Sequence, residues 1–200
     1  MSSISKYAAM TLPRMQQVWD KLGGDEGVKK FLAGETNVVS MEDHFPPWNV
    51  VMLGTHKSAS ELKLALLESG CDASDAEALL DHPDFVFSAA PARMYLARAS
   101  VGSLGFRDGA TYKEICDRAS LFGLRLCPAE VGPALRLHYV EQPEGEWLDI
   151  AMEPLKDKEG FFHVFAVMKH SGMMRLQAHN GAPDHRCGPT MCFVFYKGMV

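Results

Sequence analysis

The amino-acid sequence predicts an α+β fold, in which a helical N-terminal half packs on a mostly antiparallel C-terminal sheet. Apolar residues recur at helical spacing in the first half of the chain, and they alternate with polar residues after Pro133. One strand-helix-strand unit is expected at about residues 94–127. Helices therefore precede strands along the chain, which is typical of α+β proteins rather than of regular βαβ alternation.

Residues 1–50 are predicted to form a helical segment and a polar connector, ahead of an α+β domain at residues 51–200. Four apolar residues have the spacing i, i+3, i+4 and i+7 of one helix face: Met15, Val18, Trp19 and Leu22. The pair Gly23-Gly24 ends this helix, because glycine reaches the left-handed cap conformation at little cost. A second apolar face continues to Gly34. The alternative is that residues 1–200 form one single domain.

Three capping-box sequences predict the starts of helices in the middle of the chain. In each, a Ser or Thr precedes a Glu by three residues, and the two side chains satisfy free backbone amides: Ser58 and Glu61, Ser74 and Glu77, Thr111 and Glu114. Apolar runs next to these helices predict strands at residues 48–53, 94–101 and 124–127. If the last two strands are parallel neighbours, the crossover between them should be right-handed.

The C-terminal part is predicted to consist of strands. Alternation with a period of two indicates strands at residues 135–139 and 148–152, and a final strand is expected at residues 193–195. A hairpin is predicted from residues 161–168 and 173–179, because the Ser171-Gly172 pair between them has the composition of a tight turn.

The composition is typical of a soluble globular protein, with 47% apolar and 22% charged residues. The formal net charge is −5 and the basic residues are scattered, which argues against duplex nucleic acid as a partner. The N-terminus lacks the pattern of a secretory signal, and no apolar run is long enough to span a bilayer. Five irregularly spaced cysteines indicate reduced thiols, so we expect a cytoplasmic protein without a membrane association. Its oligomeric state is left open.

The stretch from Leu126 to Trp147 holds the first candidate site. Two prolines constrain a loop that carries Glu130, and Arg136 and His138 would project from one face of the strand that follows. Our leading hypothesis is a binding domain, in which these side chains contact a partner protein or a small ligand. The alternative is an enzyme, either a hydrolase or a transferase. Glu130 or His138 would then act in acid–base catalysis, and Arg136 would hold an anionic substrate.

A structural explanation of the same three residues stays open. Polar residues often cover the solvent face of an antiparallel sheet, and Glu130 could pair with Arg136 or accept hydrogen bonds from backbone amides. For a binding site, in contrast, we expect Glu130→Ala and Arg136→Ala to leave the fold intact and to abolish the capture of a partner.

The second candidate is a zinc site between residues 179 and 192. Four side chains of the types that bind tetrahedral zinc lie in this segment: His179, His185, Cys187 and Cys192. Their spacing does not match a standard zinc knuckle or ribbon, and no second pair of cysteines supports them. The protein could therefore be a zinc-stabilised interaction module, or the segment could be a loop with incidental histidines. Motifs of phosphate loops, dinucleotide-binding turns, zinc proteases and serine hydrolases are absent from the sequence.

Blocks of sequence distributed over most of the chain form a specific combination. They are WxKLGGxxGV at 19–28, FLxGE at 31–35, LGFxDGATY at 104–112, LCPAEVGP at 126–133, LRL at 135–137, QPxGEWL at 142–148 and AMEP at 151–154. In these blocks the chain resembles a family of uncharacterised bacterial proteins with no assigned activity. The resemblance therefore implies no catalytic residue and no cofactor. The Cys and His residues of the predicted zinc site lie outside the shared blocks.

Overall fold

The computed structural model describes residues 11–35 and 44–198. Contacts between Cα atoms divide the chain into two compact units, Met1–Ser40 and Met41–Val200. The described residues contain helices and a large mixed sheet, so the predicted α+β class is confirmed. Within these residues, no helix is long and apolar enough to cross a membrane.

Residues 11–35 of the first unit form two helices, α1 (Leu12–Leu22) and α2 (Gly24–Leu32). Gly23 lies between them with a φ of 88°, in the left-handed region that favours glycine. The predicted helical pair and its glycine stop are therefore confirmed. Large apolar side chains are exposed on both helices: Leu12, Met15, Val18, Trp19, Phe31 and Leu32.

The second unit is built on an eight-stranded sheet. Its strands are β1 (Asn49–Leu53), β2 (Ala92–Ser100), β4 (Leu124–Arg125), β5 (Trp147–Ile150), β6 (Leu155–Lys156), β7 (Phe162–His170), β8 (Met173–Asn180) and β10 (Cys192–Lys197). A separate two-stranded sheet pairs β3 (Ala110–Thr111) with β9 (Arg186–Cys187). The predicted first strand, the hairpin of β7 and β8 and the last strand are confirmed.

The main order of the sheet is β1-β2-β10-β5-β7, and β8 lies on the other side of β7 from β5. Ala166 of β7 establishes this arrangement, because it pairs with Asp149 of β5 and with Gln177 of β8. The strands β4 and β6 add to β10 and β7, respectively. Paired strands are antiparallel except for β5 and β10, which are parallel and pair through two residues of each strand. The pairing of these two strands starts at Asp149 and Phe193, so within the described residues the positions before them do not pair across this edge.

Four helices belong to the second unit: α3 (Ala59–Glu68), α4 (Glu77–Leu80), α5 (Tyr112–Ser120) and α6 (Val131–His138). The capping box at Thr111 is complete, and Ser58 accepts a hydrogen bond from the Glu61 amide as predicted. The box predicted at Ser74 is wrong, because that hydroxyl donates to Asp72 and a 3₁₀ turn precedes α4. The strand-helix-strand unit is present as β2, α5 and β4, but β10 lies between its two strands.

The segment predicted as a strand at residues 135–139 lies largely in the helix α6, so that prediction is wrong. Val131 and Leu135 are fully buried and four residues apart, which places them on one helix face. Gly132 packs against β7, where a Cβ at this position would approach the Cβ of Phe165 to 2.6 Å. The apolar pattern of residues 135–139 does not distinguish a strand from a helix, because so short a stretch is compatible with the period of either.

Candidate functional site

Glu130 lies at the N-terminus of α6, and its carboxylate is buried. Oε1 accepts a hydrogen bond from the Gly54 amide at 2.7 Å, and Oε2 accepts one from the Ser88 amide at 2.9 Å. Gly54 follows β1 and Ser88 precedes β2, so the carboxylate joins three segments of the fold. Because both oxygens bind backbone amides, this geometry supports the structural explanation of Glu130.

Arg136 is 1% exposed, and its guanidinium donates to Oε1 of Gln142 and to the carbonyls of Tyr139 and Met168. Burial lowers the pKa of Arg136, and within the described ranges its Nε has no hydrogen-bond partner. His138 is exposed. Because α6 is a helix, Arg136 and His138 lie about 200° apart around its axis instead of on one face. The structure therefore does not bring Glu130, Arg136 and His138 together.

The four predicted zinc ligands also have other surroundings. The ring centroids of His179 and His185 are 6.0 Å apart, and Nδ1 of His179 lies 3.0 Å from Oδ1 of Asp149. Burial raises the pKa of the thiols of Cys187 and Cys192 to about 11, which favours the protonated form over the thiolate that zinc binds. Among residues 11–35 and 44–198, no group of three or more His, Cys, Asp or Glu could hold a metal ion. The arrangement does not fit the zinc hypothesis.

Asp149 and His179 form an ionisable pair at the centre of this region. Asp149 is 1% exposed, and its Oδ1 accepts a second hydrogen bond from Nε1 of Trp147 at 2.8 Å. Oδ2 of Asp149 is buried and has no hydrogen-bond partner in the described part of the chain. The hydrogen bond to Asp149 raises the pKa of His179 above its ordinary value of 6.5, against the lowering effect of burial. The carboxylate therefore favours the protonated imidazole.

The register of three strands explains why these two side chains meet. Asp149 pairs with Ala166, and Ala166 pairs with Gln177. His179 lies two residues after Gln177 and so projects from the same face of the sheet as Asp149. Ala166 carries only a methyl group, which leaves room between them. Phe165 projects from the other face, where it contacts α6, so the pair and the helix of Glu130 lie on opposite faces of the sheet.

His179 and Trp147 also line a pocket of about 720 Å³. The pocket lies at the N-terminal ends of β5 and β10, next to the first residues that pair between the two strands. Further wall residues include Arg98, Glu146, Thr190 and Cys192. Small-molecule pockets in proteins typically have volumes of roughly 300–1,000 Å³. The pocket is therefore large enough for a small organic ligand.

The charged groups around the pocket are paired with one another. Nη1 of Arg98 donates to Oε1 of Glu146 at 3.0 Å, and the Arg98 guanidinium lies 5.1 Å from the centroid of the Trp48 ring. His179 is paired with Asp149. The four ionisable groups have a net charge of zero when His179 is protonated and of −1 when it is neutral. The pocket thus offers no excess of positive charge for an anionic ligand.

Comparison of the chain with protein-family models, with curated proteins and with solved structures gives no match in any of the three. The resemblance to a bacterial family stays a prediction.

The sequence predicts His179 as a zinc ligand, and it yields no functional prediction for Asp149. The sequence does contain a signal that Asp149 is unusual, because this charged residue stands between the apolar residues Leu148 and Ile150. Alternation assigns Asp149 to a solvent face. Its surroundings depend on strands β7 and β8, which lie beside β5 through the pairing of Ala166, and no local pattern reports them.

Proposed function

We propose that the protein binds an uncharged small molecule in the pocket at the N-terminal ends of β5 and β10. The observation that supports this proposal is the convergence of Trp147, Arg98 and His179 on one opening of about 720 Å³. The Trp147 side chain is 37% exposed, so a planar apolar part of a ligand has an aromatic surface to cover. The hydroxyl of Thr190 and the imidazole of His179 supply hydrogen-bonding groups beside it.

An uncharged ligand is favoured because each cation of the pocket already has a carboxylate partner. An anionic substrate held by Arg136 is not favoured, since that guanidinium is buried and donates to groups of the protein itself. The sequence hypothesis of a small-ligand domain is thus retained, and its location moves from α6 to the opposite face of the sheet.

We further propose that this binding takes place in the cytoplasm. All five cysteines of the chain are free thiols, and several are buried in apolar surroundings. Free buried thiols are typical of a reducing compartment, where disulfides are not required for stability.

The binding proposal is tested by measuring backbone amide shifts with a library of uncharged aromatic amides and alcohols. Binding fragments should shift the amides of residues 145–148 and 190–192. Thr190→Trp introduces an indole into the wall of the pocket and should abolish these shifts, whereas the matched variant Thr55→Trp changes an exposed threonine elsewhere and should retain them. Fragments that shift no amide of the pocket, or that bind both variants equally, would count against the proposal.

A further inference from the structure

Two close Asp–His pairs occur in the described ranges, and they differ in how the carboxylate is used. Oδ2 of Asp157 lies 2.7 Å from Nε2 of His163, while Oδ1 accepts the Phe161 amide at 2.8 Å. Asp157 is partly exposed and stabilises a turn with both oxygens. Asp149 is 1% exposed, and one of its oxygens has no partner within the described residues. A buried oxygen without a partner costs free energy, so a turn-stabilising role does not account for Asp149.

Asp149 determines which nitrogen of His179 carries the proton in the neutral ring. An ionised carboxylate can only accept, so the 3.0 Å contact places a proton on Nδ1. Nε2 then carries a lone pair, and no group among the described residues hydrogen-bonds to it. Trp147 donates to the same carboxylate oxygen and holds it in place. A carboxylate that orients a histidine in this way is the arrangement found for general bases.

We infer that His179 is a general base that activates water toward an uncharged acyl compound held in the pocket, with Asp149 as its positioning residue. The inference rests on the proposed ligand site, because the pocket has to bind the acyl compound. It follows from three features of the geometry: the tautomer set by Asp149, the free Nε2 and the location of His179 in the pocket wall. The uncharged substrate class follows from the paired charges of the pocket.

In the proposed step, Nε2 of His179 accepts a proton from water as the water oxygen forms a bond to the acyl carbon. The bond between that carbon and the leaving oxygen then breaks. The proton moves from Nε2 to the leaving oxygen, so an ester and water give an acid and an alcohol, and the imidazole returns to its neutral form. Asp149 stabilises the imidazolium that forms during the step, because its Oδ1 lies 3.0 Å from Nδ1.

The groups around His179 determine the pH dependence of this step. Asp149 faces it from β5, and His185 faces it from the loop after β8 with 6.0 Å between ring centroids. The thiols of Cys187 and Cys192 have pKa values of about 11 and stay uncharged near neutral pH. Since the base acts in its neutral form, the rate should rise with pH through the raised pKa of His179 and be half-maximal above pH 6.5.

The test is hydrolysis of 4-nitrophenyl acetate, an uncharged activated ester, followed from pH 5 to pH 9 on the full chain. His179→Gln should lower the rate by at least about tenfold, as expected for loss of a general base. His170→Gln is the matched control, since His170 is exposed at the end of β7 and does not line the pocket, and it should leave the rate unchanged. Asp149→Asn removes the carboxylate whose hydrogen bond and charge raise the pKa of His179, so it should move the half-maximal point to lower pH. The tautomer is read independently from the ¹⁵N shifts of His179, which should show a protonated Nδ1 in the neutral ring.

Equal rates for His179→Gln and His170→Gln, or a neutral ring protonated on Nε2, would overturn the inference. The tautomer measurement uses the unmodified protein, so it decides the matter even if Asp149→Asn fails to fold. Failure of the base is distinguishable from failure of the site. If hydrolysis does not depend on His179 but fragments bind the wild type and not Thr190→Trp, the general-base inference fails and the proposed ligand site stands. If no fragment binds, the proposed ligand site fails, and the inference that rests on it fails as well.

Discussion

Replacing Glu130 by Gln tests whether this carboxylate holds the fold together. Its two oxygens accept from the amides of Gly54 and Ser88 at 2.7 and 2.9 Å in a buried setting. Glutamine keeps one acceptor oxygen, so one of the two backbone amides retains a hydrogen bond. The NH₂ group of glutamine faces the other backbone amide, and because both groups are donors, that hydrogen bond is lost. A hydrogen bond to a charged group contributes about 1.5–3 kcal/mol, and an unsatisfied buried donor costs about 1 kcal/mol or more. We therefore expect the free energy of unfolding to fall by about 2–4 kcal/mol.

The measurement is urea unfolding at pH 7 followed by circular dichroism, with Glu141→Gln as the matched control. Glu141 is exposed, so the control removes the same charge without touching a buried contact. With a urea dependence of roughly 2 kcal/mol/M, the midpoint of Glu130→Gln should fall by about 1–2 M. A midpoint equal to that of the control would refute the reasoning and would reopen a functional role for Glu130. This expected loss of stability differs from the expectation, made from the sequence for a binding site, that Glu130→Ala leaves the fold intact.

Two further predictions concern buried contacts. Gly132→Ala should lower the free energy of unfolding, measured with urea, by roughly 1–3 kcal/mol, because the new methyl group meets Phe165 at 2.6 Å. In the control Gly188→Ala the methyl group meets nothing within 4 Å, so stability should change little. Equal urea midpoints for the two variants would contradict the packing of α6 against β7. Tyr112→Phe should cost about 1–2 kcal/mol, because the hydroxyl donates to the Met152 carbonyl at 2.6 Å and accepts its amide at 2.9 Å. Amide hydrogen exchange at Met152 should accelerate in this variant, and unchanged protection would show that the hydroxyl is dispensable.

Much of the fold was predictable because its signals are local. The complete capping box at Thr111, the glycine stop at Gly23 and the Ser171-Gly172 turn each depend on residues within a few positions of one another. Ser171 and Gly172 both have positive φ, as a two-residue hairpin turn requires. Such features are encoded in short stretches of sequence, and the structure contains them where sequence analysis expected them.

The errors fell where burial by distant segments outweighs local pattern. Residues 135–139 alternate like a strand, yet most of them belong to a helix because Val131, Gly132 and Leu135 pack together against the sheet. Arg136 shows the same effect, since a residue expected on a solvent face is 1% exposed and bonded to a carbonyl of β7. The competition between helix and strand in such a short window is decided by tertiary packing rather than by propensity.

The sequence by itself determined the fold class, the hairpin, the helix stops and the presence of histidines near the C-terminus. Only the tertiary structure decided which ionisable groups meet. Asp149 and His179 are 30 residues apart in the chain, and they touch because Ala166 of an intervening strand pairs in register with β5 and β8. Strand register is set by the burial of whole faces of the sheet, which no single segment specifies. For that reason the glutamate that looked catalytic has its carboxylate bound to two backbone amides, and the aspartate between two apolar residues orients the histidine of the pocket.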